Sequence, residues 1–379
     1  MEVGHAPAGS GLGAVTTGSG PAVPDATAPP AVGRIAVVRA LPGLGDLLCA
    51  VPALRALRVR WPAAHVTLVG LPAAAWFVAR YATLVDDLLV AAGVAGLPEI
   101  EPDAAALADF RAAAVAGRFD LALQLHGSGV ASNSLTALLG ARHQVSVFVP
   151  GGPRPAGTAV AYPGGVSEVE RLLTVTRAAG APDAGHDLAF PLGPEDRDAG
   201  RRLLCQAPGG DGDDDPAARY ACLHPGASRP ANRWDPAAFA AIGDHLAAAG
   251  LRIVLTGTAA ERDVVAAVAH RRRGPTLDLA GTTSVGSLAA LFAGAALVVT
   301  NDTGAAHLAA AVRAPSVVVF APDGDPVRWA PLDRERHRAV IRPATPARAW
   351  PSVATVLAAV DDRLDPTART FAAIPELLA

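Results

Sequence analysis

Lysine does not occur in the 379-residue chain, so all 32 basic residues are arginine. Together with the abundance of alanine, that reads as the coding bias of a GC-rich genome. It also leaves an epimerase or dehydrogenase built on a Tyr-x-x-x-Lys pair without its lysine. Methionine occurs once and cysteine three times, at Cys49, Cys205 and Cys222. Cysteines so few, odd in number and far apart support neither a disulfide framework nor a Cys-x-x-Cys redox or zinc motif, and they fit a reducing cytoplasm. The ten histidines lack the close helical spacing of a zinc motif, so no metal is expected. A formal net charge of -3 is not that of a protein holding phosphate backbones through clustered cations, which argues against a nucleic-acid partner. No apolar run free of Gly, Pro and charge reaches the ~18 residues of a membrane span. The short clusters Arg201-Arg202 and Arg271-Arg272-Arg273 read as solvated faces rather than lipid contacts. The expected location is the cytoplasm, with association at the inner face of the plasma membrane at most peripheral.

What the chain does have is apolar material, 51% of its residues. Its length matches two domains at ~100–200 residues each. Residues 1–33, mostly Gly, Ala, Pro, Ser and Thr, lack the basic start and compact apolar stretch of a signal peptide and are expected to be a disordered leader. Ile35–Val38 then begins a series of short apolar runs, followed by Val66–Val69, Leu88–Val90 and Leu121–Leu125. The first reads as a buried parallel strand and the others as further strands. Between the first two, Leu47, Leu48, Val51, Leu54 and Leu57 recur at helical spacing. Strands alternating with helices imply a doubly wound α/β domain over 34–205. An acidic Gly/Pro-rich linker over 206–218 interrupts the rhythm. A second α/β domain follows over 219–345, with strands at Tyr220–Leu223, Arg252–Leu255, Leu297–Thr300 and Ser316–Phe320 and helices at Pro236–Ala249 and Glu261–His270. A helical segment at 346–379, centred on Trp350–Leu364, closes the chain.

Ligands of such sheets sit beyond the carboxyl ends of the strands, so chemistry is sought in those loops. Thr300-Asn301-Asp302-Thr303-Gly304 leaves a strand and opens a helix, whose first N–H groups and positive end suit a diphosphate. Asp302 and Thr303 are equally ordinary N-cap residues. His307, one turn on, faces the same ligand or packs in the core. In the first loop, Gly43-Leu44-Gly45 resembles a dinucleotide fingerprint but lacks its third small residue, and Asp46 puts a carboxylate where a pyrophosphate would bind. An ionised Asp at a helix N-terminus can accept a proton from a hydroxyl, or simply cap the helix. His224, Ser228, Arg229 and Arg233 follow the strand that opens the second half. Their arginine forks suit phosphate oxygens or solvent. Thr256 and Glu261 sit at another strand-to-helix turn, where a carboxylate could bind ribose hydroxyls or lie on the surface. The polar loop from His126 to Gly129, with Asn133, could hold a hydroxylated ligand, alongside Arg39 and Gly45 of the first loop.

At these residues the chain resembles glycosyltransferase family 9, which includes the ADP-heptose heptosyltransferases of lipopolysaccharide core assembly. Gly45-Asp46 with Pro52 is similar to the family's first-loop motif, and His224-Pro225-Gly226-Ala227-Ser228 with Arg233-Trp234 to its first donor-side loop. Asn301-Asp302-Thr303-Gly304 with His307, Phe320-Ala321-Pro322 and Asp325-Pro326 resembles its most specific signature. The resemblance implies a GT-B fold, two facing Rossmann-like domains around a central cleft. It also implies an inverting, metal-independent transfer of a sugar, heptose first, from an ADP-activated donor to a hydroxyl of a glycan, lipid-linked or secondary-metabolite acceptor, with no cofactor. By position, Asp46 becomes the base. Thr303, Gly304 and His307 contact the donor diphosphate, Ser228 and Arg233 join them, and Glu261 lies near the ribose. Two departures stand out: Asn232 replaces a usual lysine, and Pro42-Gly43 lengthens the first loop. A donor other than an ADP-sugar, or a non-catalytic nucleotide-sugar-binding module, are the alternatives. Oligomeric state is left open.

Overall fold

The computed structural model describes residues 32–205, 219–342 and 349–364. The expected leader, apart from its last two residues, and the acidic linker lie outside these, as does the end of the C-terminal segment.

Six strands form the first sheet: β1 (Arg34–Val38), β2 (His65–Gly70), β3 (Asp87–Val90), β4 (Leu121–Gln124), β5 (His143–Phe148) and β6 (Thr158–Ala161). Their spatial order is β3-β2-β1-β4-β5-β6, with every pair parallel. A second sheet contains β7 (Tyr220–His224), β8 (Arg252–Leu255), β9 (Leu277–Asp278), β10 (Leu297–Asn301), β11 (Ser316–Val319) and β12 (His337–Val340). Its order, β12-β11-β10-β7-β8-β9, is the same winding repeated, again all parallel. In both sheets the strand order reverses beside the first strand, between β1 and β4 and between β7 and β10. Such a reversal opens a crevice at the strands' carboxyl ends.

Burial explains the apolar runs. Ile35, Ala36, Val37 and Val38 are fully enclosed, as expected of a parallel strand covered on both faces. All eight strands expected from the sequence form, within one residue at most ends. Strands β5, β6, β9 and β12 were not foreseen. β9 has only two residues and β6 is half-exposed at a sheet edge. The terminal helix starts at Val353, after Pro351.

Two helices bring the halves together. Leu44–Arg60 buries Leu47, Leu48, Val51, Leu54 and Leu57 as the periodicity predicts, and it packs against both Glu168–Ala178 of its own half and Gly304–Ala311 of the other. Apolar side chains from both halves therefore share one continuous core, with Leu54 and Leu123 in the same cluster as Phe292 and Leu308. The helix Pro194–Leu204, inside the expected first domain, packs against Val285–Gly294 of the second half. It also pairs Asp196 with Arg80 of the first. One expectation is corrected here: Arg272 is not a solvated face. Its guanidinium is buried, with Nε donating to Thr276 Oγ1 at 2.8 Å and Nη1 3.5 Å from Asp244 Oδ1. Gly243 provides the room, since a side chain there would collide with it.

Candidate active site

The first crevice is built around a buried arginine. Arg39, immediately after β1, has no exposed side-chain surface. Its Nε donates to the Asp46 carbonyl oxygen at 2.7 Å, and its Nη1 donates to the Leu125 carbonyl at 2.6 Å and to Glu168 Oε1 at 3.1 Å. Nη2 makes no hydrogen bond and stands 3.6 Å from Asp46 Oδ1. Asp46 lies in the first turn of Leu44–Arg60, whose N-cap Gly43 offers no side chain, and it keeps a quarter of its side chain exposed. Burial raises its carboxyl above the ordinary aspartate range, and Arg39 opposes that rise while Glu168 adds to it. Glu168 itself is held low despite its burial, because Arg39 and Arg328 both pair with it, Arg328 Nε donating to Oε2 at 2.8 Å.

Of the other residues expected on this side, His126 accepts a bond from Ala40 N at its Nδ1 (3.1 Å) and turns Nε2 toward Glu99 Oε2, 3.6 Å away. Asn133 is held apart, its Nδ2 donating to the Val147 carbonyl at 2.8 Å while its buried Oδ1 has no partner. Gly45 is enclosed against His307, where a Cβ would collide with the imidazole.

At the second crevice, His224 ends β7 and Thr256 follows β8. His224 Nδ1 lies 3.0 Å from Thr256 Oγ1, and its Nε2 lies 3.9 Å from Glu261 Oε2. Glu261 is buried rather than on the surface, and it caps its own turn by accepting from Thr258 N (2.7 Å) and Oγ1 (2.9 Å). Gly226 must be side-chain-free, because a Cβ there would overlap the Glu261 carboxyl. Asn301 at the end of β10 draws this loop in. Its Nδ2 donates to the Pro225 carbonyl at 2.8 Å, and its Oδ1 accepts from Trp234 N at 3.1 Å. Arg233 Nε donates to the Ala227 carbonyl at 2.9 Å, while Ser228 and Arg229 are exposed. Burial and the neighbouring Asp325 push Asp302 up to about 7, against the pull of Arg229.

The two halves meet at the helix tips. Thr303 caps Gly304–Ala311, its side chain accepting from Ala305 N. A Cβ on Gly304 would sit 3.0 Å from Leu44 Cβ and 3.2 Å from Gly45 N. The N-termini of Leu44–Arg60 and Gly304–Ala311 therefore abut, one residue from Asp46 and one from Thr303. His307, one turn in, has Nδ1 3.7 Å from Cys49 Sγ and its ring 5.9 Å from that of Trp329. Burial lowers its pKa to about 4, so the imidazole is neutral. A separate cavity of about 930 Å³ also lies between the halves; its lining includes Cys49, His307 and Arg328 but neither Asp46 nor Thr303. Among the described residues no group of three or more His, Cys, Asp or Glu is placed to hold a metal ion, and no helix is long and apolar enough to cross a membrane.

Sequence reasoning missed Glu168, Arg328, Cys49 and Glu99 as parts of this arrangement. Glu168 carries no distinguishing signal, since a glutamate after Ser167 looks like any first-turn acid. Arg328 follows Asp325-Pro326 and could have been found from that motif.

Comparison with known proteins decides the family. A profile of glycosyltransferase family 9 (heptosyltransferase) matches residues 116–351. The chain belongs to glycosyltransferase family 9. This family 9 chain is 34% identical over 97 residues to lipopolysaccharide heptosyltransferase 2 of Escherichia coli, a stretch covering 24% of this chain and 28% of that protein. Over 116 residues it is 34% identical to lipopolysaccharide heptosyltransferase 3 of the same species, 30% of this chain and 34% of the relative. The chain thus matches about a third or less of these relatives' length. Its fold is similar over more of the chain. The solved family 9 glycosyltransferase of Veillonella parvula superimposes with a TM-score of 0.71 at 18% identity, covering 88% of this chain and 97% of the other. An E. coli heptosyltransferase solved with ADP gives 0.64 at 21% identity, covering 87% and 99%. The architecture is GT-B. The family match takes in the whole second sheet but begins after Asp46, so the first loop is read on its geometry.

Proposed function

We propose that this glycosyltransferase moves a sugar, heptose by preference, from an ADP-activated donor to a hydroxyl of a glycan, lipid-linked or secondary-metabolite acceptor, with inversion and without a metal. The contact of Gly304 with Leu44 and Gly45 carries the reading, because it sets Asp46 against a helix N-terminus of the other half. In this scheme the acceptor hydroxyl gives its proton to the Asp46 carboxylate as its oxygen bonds to the anomeric carbon. The bond from that carbon to the diphosphate breaks, and its electrons leave on the ADP oxygen. Charge developing there meets the N–H groups and positive end of Gly304–Ala311 at Thr303 and Gly304, with the Arg229 and Arg233 forks nearby. Thr256 and Glu261, with His224, line the end of β8 where the nucleoside would lie. Arg39, Gly45, His126 and Asn133 belong to the acceptor side. The ADP-heptose named for relatives in this family supports the donor, and the arginines at 229 and 233 support the phosphates despite Asn232. Association with a membrane would be peripheral and the site of action cytoplasmic.

Thermal shift with ADP, UDP, GDP and dTDP tests the nucleotide. A ligand that binds only the native state adds about 2.7 kcal/mol at a hundredfold excess over Kd, so ADP should raise Tm by several degrees and the others by less. An equal response to all four, or to none, contradicts the donor assignment.

A further inference from the structure

Glu168 takes one arginine on each carboxylate oxygen: Arg39 from the first half on Oε1, at 3.1 Å, and Arg328 from the second on Oε2, at 2.8 Å. It is buried, at the start of Glu168–Ala178 behind the Ser167 cap. Arg39 has nowhere to swing, since Nε is fixed on the Asp46 carbonyl and Nη1 on Leu125 and Glu168. Its remaining fork, Nη2, is left facing the Asp46 carboxylate with no hydrogen-bond partner of its own. We propose that Glu168 is a positioning residue for Asp46: it aims the Arg39 fork at the Asp46 carboxylate and offsets the charge of Arg39 and Arg328. The inference rests on the reading of Asp46 as the base.

The electrostatic argument counts what faces Asp46 from each packed element. Arg39 comes from the end of β1, Glu168 from Glu168–Ala178, Arg328 from the short helix Pro326–Trp329, and Glu99 from the connection after β3, itself directed at His126. Cys49, on the helix of Asp46, stays a thiol because burial raises its pKa. With Glu168 present, two cations are balanced by two acids besides Asp46. Without it the cations prevail, the carboxylate holds a proton less readily, and a base that binds protons weakly is a poorer catalyst.

The test uses the full chain with 13C at the aspartate carboxyl carbons. The Asp46 signal is assigned by its loss in Asp46→Asn. In Glu168→Gln, which keeps the side chain's size and a carbonyl for Arg39, the Asp46 titration should move down by about one pH unit. The acidic limb of kcat/KM should move the same way, with KM for the donor little changed. Glu168→Asp should bring the titration back toward the original, and Arg328→Gln should move it up. A merely structural Glu168 would lower stability without displacing the titration. If Glu168→Gln does not fold, Arg328→Gln decides: an unmoved or lowered Asp46 titration overturns the proposal, as does an unmoved or raised one in folded Glu168→Gln. Full turnover in Asp46→Asn would remove the base reading itself. Lost turnover there, beside an unmoved titration in Glu168→Gln, removes only the positioning role.

Discussion

His337 shows how far a single buried group can set the pH response of this chain. It sits at the start of β12 with Nδ1 2.9 Å from Ser316 Oγ, and burial lowers its pKa to about 4. In the unfolded chain an imidazole titrates near ~6.5, so between these values the unfolded state binds more protons than the native one. Stability from this group is therefore complete above about pH 6.5 and is lost as the pH falls toward 4, by about 3 kcal/mol at most. His337→Gln should flatten part of the acid side of a urea-unfolding profile measured from pH 7 to 4.5, the buried His307 keeping a share of the slope; an unchanged slope would mean that His337 does not contribute. Residues of this kind were the least legible in the sequence. Asp46, His224 and Thr303 could be singled out because each lies between the carboxyl end of an apolar strand and the first turn of the helix that follows. His337 and Glu168 stand in contexts that many solvent-facing residues share, and only the packing of distant elements encloses them.

Elements were easier to read, where burial leaves a pattern. Ile35–Val38 of β1 and Leu297–Val299 of β10 are apolar runs covered on both faces, and those runs mark the strands. β6 and β9 lack that mark, the first as a half-exposed edge strand and the second as a two-residue strand. The start of Gly304–Ala311 was legible as N-cap chemistry at Thr303, but what that end touches was not. The approach of Gly304–Ala311 to Leu44–Arg60 depends on glycines at the contact. Gly304→Ala places a methyl 3.0 Å from Leu44 Cβ and 3.2 Å from the backbone nitrogen of Gly45, and backbone cannot step aside as a side-chain tip can. Overpacking of this kind costs about 1–3 kcal/mol, and a shift of the helix tip should reduce turnover as well. Chemical denaturation and initial rates should show both losses together. Wild-type stability and rate in Gly304→Ala would show that the tips are not in contact.

At the scale of the molecule, the alternation of strands and helices was enough to predict two α/β halves, because a parallel sheet needs a crossover helix between strands. The sequence did not disclose that both halves wind in the same order, which places their crevices at β1/β4 and β7/β10. Nor did it disclose the shared core. Residues as far apart as Leu54 and Leu308 lie in one cluster, a relation no local periodicity carries. The same docking brings Arg39, Glu168 and the half-buried Arg328 into one chain of charge and sets Asp46 beside the tip of Gly304–Ala311. The account depends on that juxtaposition being a base opposite a nucleotide grip. The direct measurement is single-turnover release of ADP from ADP-heptose, with a pool of hydroxylated glycan acceptors supplied, by the wild-type chain and by Asp46→Asn, with ADP affinity measured calorimetrically on both. A positioned base contributes about 10²–10⁴-fold, so Asp46→Asn should lose turnover on that scale while binding ADP nearly as well as the wild type. Turnover within a few fold of wild type, or ADP binding lost in step with turnover, would contradict it.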